Sequence, residues 1–283
     1  MWSWASQARY PEAGVLRAEV KVRDFAVADR AGRFVQRVRL DLNGTASTSL
    51  GDRYPFALPI VRHLASIGGL ELDPGVTFLV GDNGTGKSTL VEALAVACGF
   101  NAEGGSRSFR FTTRATESAL GEHVVLRWGV VKPRTGYFLR AESFYNVATE
   151  IEHLEREDPG LLPAYGGRSL HARSHGESFL DLAIHRFGPK GLYLLDEPEA
   201  ALSPRGCLAL VRRVGDLVEQ GSQFVIATHS PILLTVPGAT ILQIDASGSI
   251  EPVSYDEAEP VILTRAILND PQRFLRHLFA DDG

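Results

Sequence analysis

The sequence predicts an α/β protein with a mainly parallel central sheet, and three observations carry that prediction. Short continuous apolar runs, "VTFLV" at 76–80, "LYLL" at 192–195 and "QFVIA" at 223–227, have the length and composition of strands buried on both faces. Longer segments of helical period stand between them, the alternation expected of a parallel sheet covered by helices. A glycine-rich turn joins the first run directly to a helix.

The elements follow in order. Residues 15–42 alternate apolar and polar around a turn at Ala31-Gly32 and read as antiparallel strands. Pro55 and Pro59 punctuate the next stretch, with a short helix near 58–66. Residues 75–100 give strand, loop and a helix ending near Gly99. Residues 101–116 are a polar, glycine-rich loop bearing Arg107, Arg110 and Arg114. "HVVLRWGVV" and "GYFLRAESF" read as two strands around a turn at Pro133 to Gly136, and "AESFYNVATEIEHLERE" has helical period. A Gly/Pro-bearing loop over 159–173 leads to a helix with Phe179, Leu180, Ala183, Ile184 and Phe187 on one face, stopped by Gly188-Pro189. A buried strand at 191–199, a helix at 204–221, a strand at 222–231 and a hairpin at 240–253 come next, and the tail 260–279 is amphipathic and helical.

Composition excludes several classes. A chain of 283 residues, 44% hydrophobic and 22% charged, is long enough for one large domain or two small ones. A net charge of −5 argues against wrapping nucleic acid by bulk charge, so a nucleic-acid partner has no support there. Cys98 and Cys207 are too few for a disulfide framework or a cysteine zinc site, and suggest a reducing cytoplasm. No apolar run approaches membrane-spanning length, and the start lacks a signal-peptide pattern, so no membrane insertion is expected.

Gly81-Asp82-Asn83-Gly84-Thr85-Gly86-Lys87-Ser88 matches the P-loop pattern in full, between a strand and a helix. Its backbone amides can cradle phosphate oxygens, helped by the dipole of the helix that follows. Lys87 would reach the β- and γ-phosphates, and Ser88 would ligate Mg²⁺, with Thr89 beside it. ATP and Mg²⁺ are therefore the expected cofactors. Asp196 ends an apolar strand where a second Mg²⁺ anchor belongs, and Glu197 can take a proton from an attacking water. His229 also follows an apolar strand directly; it is either a structural histidine or a γ-phosphate sensor at the carboxyl edge of the sheet. Ser174 and Glu177 have the spacing of a capping box.

Taken in order, the P-loop, the Ser174-x-Gly176-Glu177 helix start, the Asp196-Glu197 strand end and the strand-end His229 resemble the ABC-type ATPases. The resemblance spans 76 to about 235. Members carry Walker A, signature, Walker B, D-loop and switch histidine in this order. His175 departs from the usual signature glycine, and Ser203 stands where an aspartate is common. The resemblance implies a P-loop NTPase fold with an antiparallel β subdomain and a small helical subdomain carrying the signature helix. It divides this single domain into a β-rich part at 1–75, the Walker A core at 76–100, an insert and helical subdomain at 101–185, the Walker B and switch-histidine core at 186–250, and C-terminal helices at 251–283. It also implies a head-to-tail homodimer on ATP binding, with one copy's Ser174, Gly176 and Glu177 capping the other's nucleotide.

Members usually place a glutamine between Walker A and the signature, and none occurs between residues 88 and 174. Glu142 is the first stand-in and Asn146 the second; Glu142 reads equally as a plain helix-start acid. The three loop arginines fit a solvated face better than a phosphate, partner or nucleic-acid contact. Tyr54 and Phe56 are candidate adenine platforms, with core packing the better reading for both.

Only 86 residues lie between Lys87 and Ser174, which leaves no room for the long coiled coil of SMC and Rad50 proteins. The surroundings resemble stand-alone bacterial predicted ATPases on the RecF/SMC-related side. The expectation is an ATP-hydrolysing ABC-type ATPase, an AAA family ATPase in the broad sense, that uses ATP-driven dimerisation in repair or defence, with an unidentified protein partner. The alternative is the ATP-binding subunit of a membrane transporter. A P-loop kinase is disfavoured by Glu197 and the signature helix.

Overall fold

A computed structural model describes residues 34–42, 53–106, 119–157, 160–165, 167, 169–172 and 175–279. The chain runs through β1 (Val35–Leu40), α1 (Pro59–Ser66), β2 (Leu70–Glu71), β3 (Val76–Gly81), α2 (Lys87–Ala97), β4 (Val124–Trp128) and β5 (Thr135–Arg140). It continues through α3 (Phe144–Glu157), α4 (His175–Arg186), β6 (Gly191–Asp196), α5 (Pro204–Glu219), β7 (Gln223–Ala227), β8 (Thr240–Ile244), β9 (Ile250–Val253), α6 (Glu259–Asn269) and α7 (Pro271–Leu278). The strands expected within 15–33, the turn at Ala31-Gly32, the loop arginines Arg107, Arg110 and Arg114, and Ser174 lie outside the described residues.

Six strands form the central sheet in the order β5-β6-β7-β3-β8-β9, parallel except for the β8–β9 hairpin. Because side chains alternate along a strand, the sheet divides its residues between two cores. Phe78, Val80, Tyr193, Leu195, Phe224 and Ile226 face a core shared with α3, α4 and α5. Leu79, Leu192, Leu194, Val225 and Ala227 face the other, built on α1, α2 and the small sheet. This double burial is why these strands read as unbroken apolar runs.

The small sheet is antiparallel, in the order β2-β1-β4. The two strands around Pro133 to Gly136 are therefore not a pair. β4 joins β1, whereas β5 crosses to the central sheet and lies parallel to β6. The local pattern of β5 hints at the reason: Tyr137, Phe138 and Leu139 are successive and fully buried, as only a strand covered on both faces allows. The amphipathic tail is likewise not one helix. Asp270 ends α6 and caps α7 by accepting from the Arg273 amide, with Pro271 in the first turn.

Gln223 locks the two sheets together. Its side chain is fully buried, accepts from the amides of Phe34 and Val35 at 3.1 and 2.9 Å, and donates to the carbonyls of Val35 and Asp73 at 2.9 and 2.8 Å. α4 is fixed at its carboxyl end, where Arg213 of α5 donates to the carbonyls of Ile184 and Phe187 at 2.9 and 2.5 Å, the orphan acceptors of a helix terminus. No helix among the described residues is long and apolar enough to cross a membrane.

Candidate functional site

The P-loop leaves β3 at Gly81, where φ is +149° and an added Cβ would lie 2.3 Å from the Ile244 carbonyl of β8. Gly86, at φ +96°, is the N-cap of α2, and a Cβ there would lie 2.6 Å from Ile60 of α1. Backbone and neighbouring elements thus both demand glycine at these two positions. No side chain caps the first turn of α2, so its leading amides point at the loop's concave side as an anion site. The Thr85 hydroxyl donates to the Asp82 carbonyl at 2.9 Å and fixes the loop's turn. Asp82, Asn83 and Gly84 form its exposed crest.

Lys87 is buried, and its ammonium donates to the carbonyls of Gly81 and Asp82 at 2.7 and 2.8 Å. Burial lowers its pKa, while Glu197, Asp196, Asp82 and Glu199 pull in the opposite direction. The charge is therefore held over the loop by its own carbonyls and by the acids across the cleft. Thr89 shares a hydrogen bond of 3.2 Å with the Tyr54 hydroxyl.

Asp196 is the last residue of β6, in register with Ala227 of β7, and β7 is the neighbour of the P-loop strand. The carboxyl is 6% exposed, and burial pushes its pKa up to about 6 against the pull of Arg140 and Ser88. Its Oδ1 is buried without a well-formed hydrogen bond, although the Ser88 hydroxyl approaches closely enough to favour the ionised form. A buried carboxylate with one orphaned oxygen and a hydroxyl acting on it suits Mg²⁺, which takes one or two protein ligands and completes its shell with phosphates and water. Consistent with that sparse requirement, no group of three or more His, Cys, Asp or Glu side chains gathers for a metal among the described residues.

Glu197 has φ +48°, a left-handed conformation that costs a non-glycine residue about 1 kcal/mol. Its amide donates to the Ala227 carbonyl at 3.0 Å, and it leads into a 3₁₀ turn over Pro198–Ala201. The strained turn brings its carboxylate to 3.6 Å from His229 Nε2. The His229 amide in turn donates to Glu199 Oε1 at 2.5 Å.

Ser88, Ala141, Glu142, Asp196, Glu197 and Ala200 line one cleft. Glu142, first choice for the missing glutamine's place, thus faces the Ser88–Asp196 pair. Asn146, the second choice, is engaged by Glu103, to which it donates at 3.2 Å. Phe56 is core, 5% exposed and edge-on to His123, whereas Tyr54 is 74% exposed. Core packing therefore holds for Phe56 and is overturned for Tyr54, whose proline-bearing segment lifts the ring above α2. α4 begins at His175, with Glu177 exposed in its first turn. Gly176 packs against the turn after Walker B, where an added Cβ would lie 2.7 Å from the Ala201 carbonyl. Neither Gly176 nor Glu177 is among the residues that line the cleft.

Three residues at the site escaped the sequence reading. Arg140 ends β5, in register with Asp196, and its guanidinium lies between Asp196, Glu92 and Glu142. Glu92 is the one acid of α2, set among the apolar residues that follow Thr89, and Glu199 is the third acid of "DEPE". An isolated charge among apolar residues was the available signal for Glu92 alone.

Two family models match the sequence. Residues 64–140 match one described as "AAA domain", and residues 178–235 one described as "AAA domain, putative AbiEii toxin, Type IV TA system". No curated protein is similar enough to match. Similar solved structures include the SMC head domain from Thermotoga maritima, at 17% identity over 66% of this chain and 93% of that one, with a TM-score of 0.37. Another is cbiO1 from Clostridium perfringens, part of the ABC transporter complex cbiONQ, at 17% identity over 88% and 99% of the two chains and a TM-score of 0.43. A nucleotide-free ATP-binding cassette from an ABC transporter aligns at 18% identity over 72% and 88%, with a TM-score of 0.40. The two matched segments, 64–140 and 178–235, contain the P-loop and the Asp196-Glu197 strand end that line the cleft.

Proposed function

We propose that this chain binds ATP at the P-loop, hydrolyses it at the cleft between Ser88 and Glu197, and uses the bound state to pair two copies head to tail. One observation carries the reading: Lys87, Ser88, Asp196, Glu197 and His229 come from three adjacent parallel strands and meet at their carboxyl edge. Ligands of open α/β sheets gather at that edge.

The P-loop amides and Lys87 would bind the phosphates, and Ser88 with Asp196 would hold Mg²⁺. When bound, the metal supplies charge neutralisation at the β- and γ-phosphates. Glu197 would accept a proton from a water aligned for attack, and His229, 3.6 Å away, would orient that carboxylate and contact the γ-phosphate side. Glu142 would meet the water or the metal's hydration shell from the opposite wall. Gly176 and Glu177, at the start of a helix that packs against the turn after Asp196, would face the nucleotide of a second copy, together with Ser174. For the setting, the matched description that names a toxin favours defence over repair.

Glu197→Gln tests the core of the reading. Turnover should fall about 100- to 10,000-fold while ATP binding persists, because the general base alone is lost. On a sizing column ATP should then trap a dimer, which Ser174→Arg should abolish. Normal hydrolysis by Glu197→Gln would remove the general-base assignment. A monomer under saturating ATP would remove the head-to-tail pairing.

A further inference from the structure

Arg140 reaches three carboxylates at once. Nη1 donates to Glu92 Oε2 at 2.7 Å, Nη2 to Glu142 Oε2 at 3.4 Å, and Nε lies 3.3 Å from Asp196 Oδ2. The Arg140, Glu92 and Asp196 side chains are 19%, 13% and 6% exposed, so water screens this cluster poorly. The contacts differ in kind. Glu92 holds the guanidinium through a short hydrogen bond, but Nε makes no well-formed hydrogen bond toward Asp196. The Asp196 contact is a charge contact that can relax without breaking a directional bond.

Asp196 thereby shows two faces. Oδ2 meets the guanidinium, Oδ1 is buried without a hydrogen-bond partner, and the Ser88 hydroxyl acts on the same carboxyl, so a divalent cation fits at the open oxygen. A cation entering there shares its anchoring carboxylate with a fixed positive charge.

We propose that Arg140 is a resident counter-ion that restrains divalent-metal binding at Asp196 until nucleotide phosphates accompany the metal. The proposal rests on the nucleotide reading above and adds a role for a residue that touches no substrate, so Arg140 is a positioning residue. Without its guanidinium, Asp196 loses a fixed positive neighbour, and a divalent ion entering beside it meets less repulsion. With it, the bare ion meets repulsion that the negative phosphates of a nucleotide outweigh.

Mn²⁺ titrated into the nucleotide-free protein and read by electron paramagnetic resonance tests this without turnover. Arg140→Gln should bind Mn²⁺ about tenfold or more tighter than wild type, and Arg140→Lys, which keeps the charge, should stay near wild type. Glu92→Gln should act oppositely and weaken Mn²⁺ binding about threefold in the same nucleotide-free titration, as the guanidinium settles on Asp196. Unchanged or weaker binding in folded Arg140→Gln overturns the proposal. Should circular dichroism show that variant unfolded, Glu92→Gln decides, and an unmoved Mn²⁺ affinity there overturns it. Wild-type ATP binding with Mg²⁺, measured in parallel, separates the two ideas. Its absence sinks the nucleotide reading, whereas its presence with Mn²⁺ affinities unmoved sinks only the role of Arg140.

Discussion

Gln223 and Asp196 sit on adjacent strands at opposite ends of the sheet, and both are buried polar side chains. Gln223 uses both lone-pair directions and both donors within the protein. Asp196 retains one orphaned oxygen, beside a glutamate in strained backbone and a histidine whose Nε2 is also unsatisfied. Buried polar groups in native proteins are paired, so the exceptions require a reason. The amino edge, where β7 begins, is closed structure, and the carboxyl edge is held open for a ligand. Satisfaction of hydrogen bonds therefore separates the part of the sheet that holds the fold together from the part proposed to bind nucleotide.

That contrast can be broken by substitution, starting with the largest effect. Lys87→Ala should weaken ATP binding about 100-fold or more by calorimetry, since charge-assisted phosphate contacts go with the ammonium. Its stability should change little, because the ammonium's partners are loop carbonyls. Gln223→Leu should do the reverse and destabilise by about 3 kcal/mol in denaturant titration, leaving four backbone groups without partners. A small effect there would mean that water replaces the amide and the closed edge is not closed.

Asp196→Asn sharpens the comparison through pH. Burial raises the carboxyl from 3.8 to about 6, so between those values the folded protein holds a proton that the unfolded chain has released. The stability carried by the protonated form is lost as pH rises through about 6. At pH 7.5 the ionised side chain then costs on the order of 3 kcal/mol, and Asp196→Asn should melt higher in the metal-free protein. The gain should shrink below pH 6 and vanish near pH 4. A pH-independent difference would show that burial is not the cause. Smallest is Glu199→Ala, which strands the His229 amide. It should cost about 1 kcal/mol in stability and roughly tenfold in turnover at most.

The central features of the site were legible because each is encoded over a few residues. The P-loop requires glycine at 81 and 86 wherever the strand lies, and "LYLLDE" announces both a doubly buried strand and the acids at its end. Glu142 was legible only as a position after a strand; the cleft it shares with Ser88 and Glu197 came with the fold. Arg140 was not legible at all, since its partners Glu92 and Asp196 lie 48 and 56 positions away in sequence.

By itself, then, the sequence determined the alternation of elements, the phosphate loop and the identity of the acids, because periodicity and backbone demands act locally. Only the tertiary structure decided that β4 and β5 part company, that Gly176 is pinned under the Ala201 carbonyl, and that one guanidinium sits among three carboxylates. Those outcomes follow from strand register and close packing between distant segments. Neither is written in the spacing of residues along the chain.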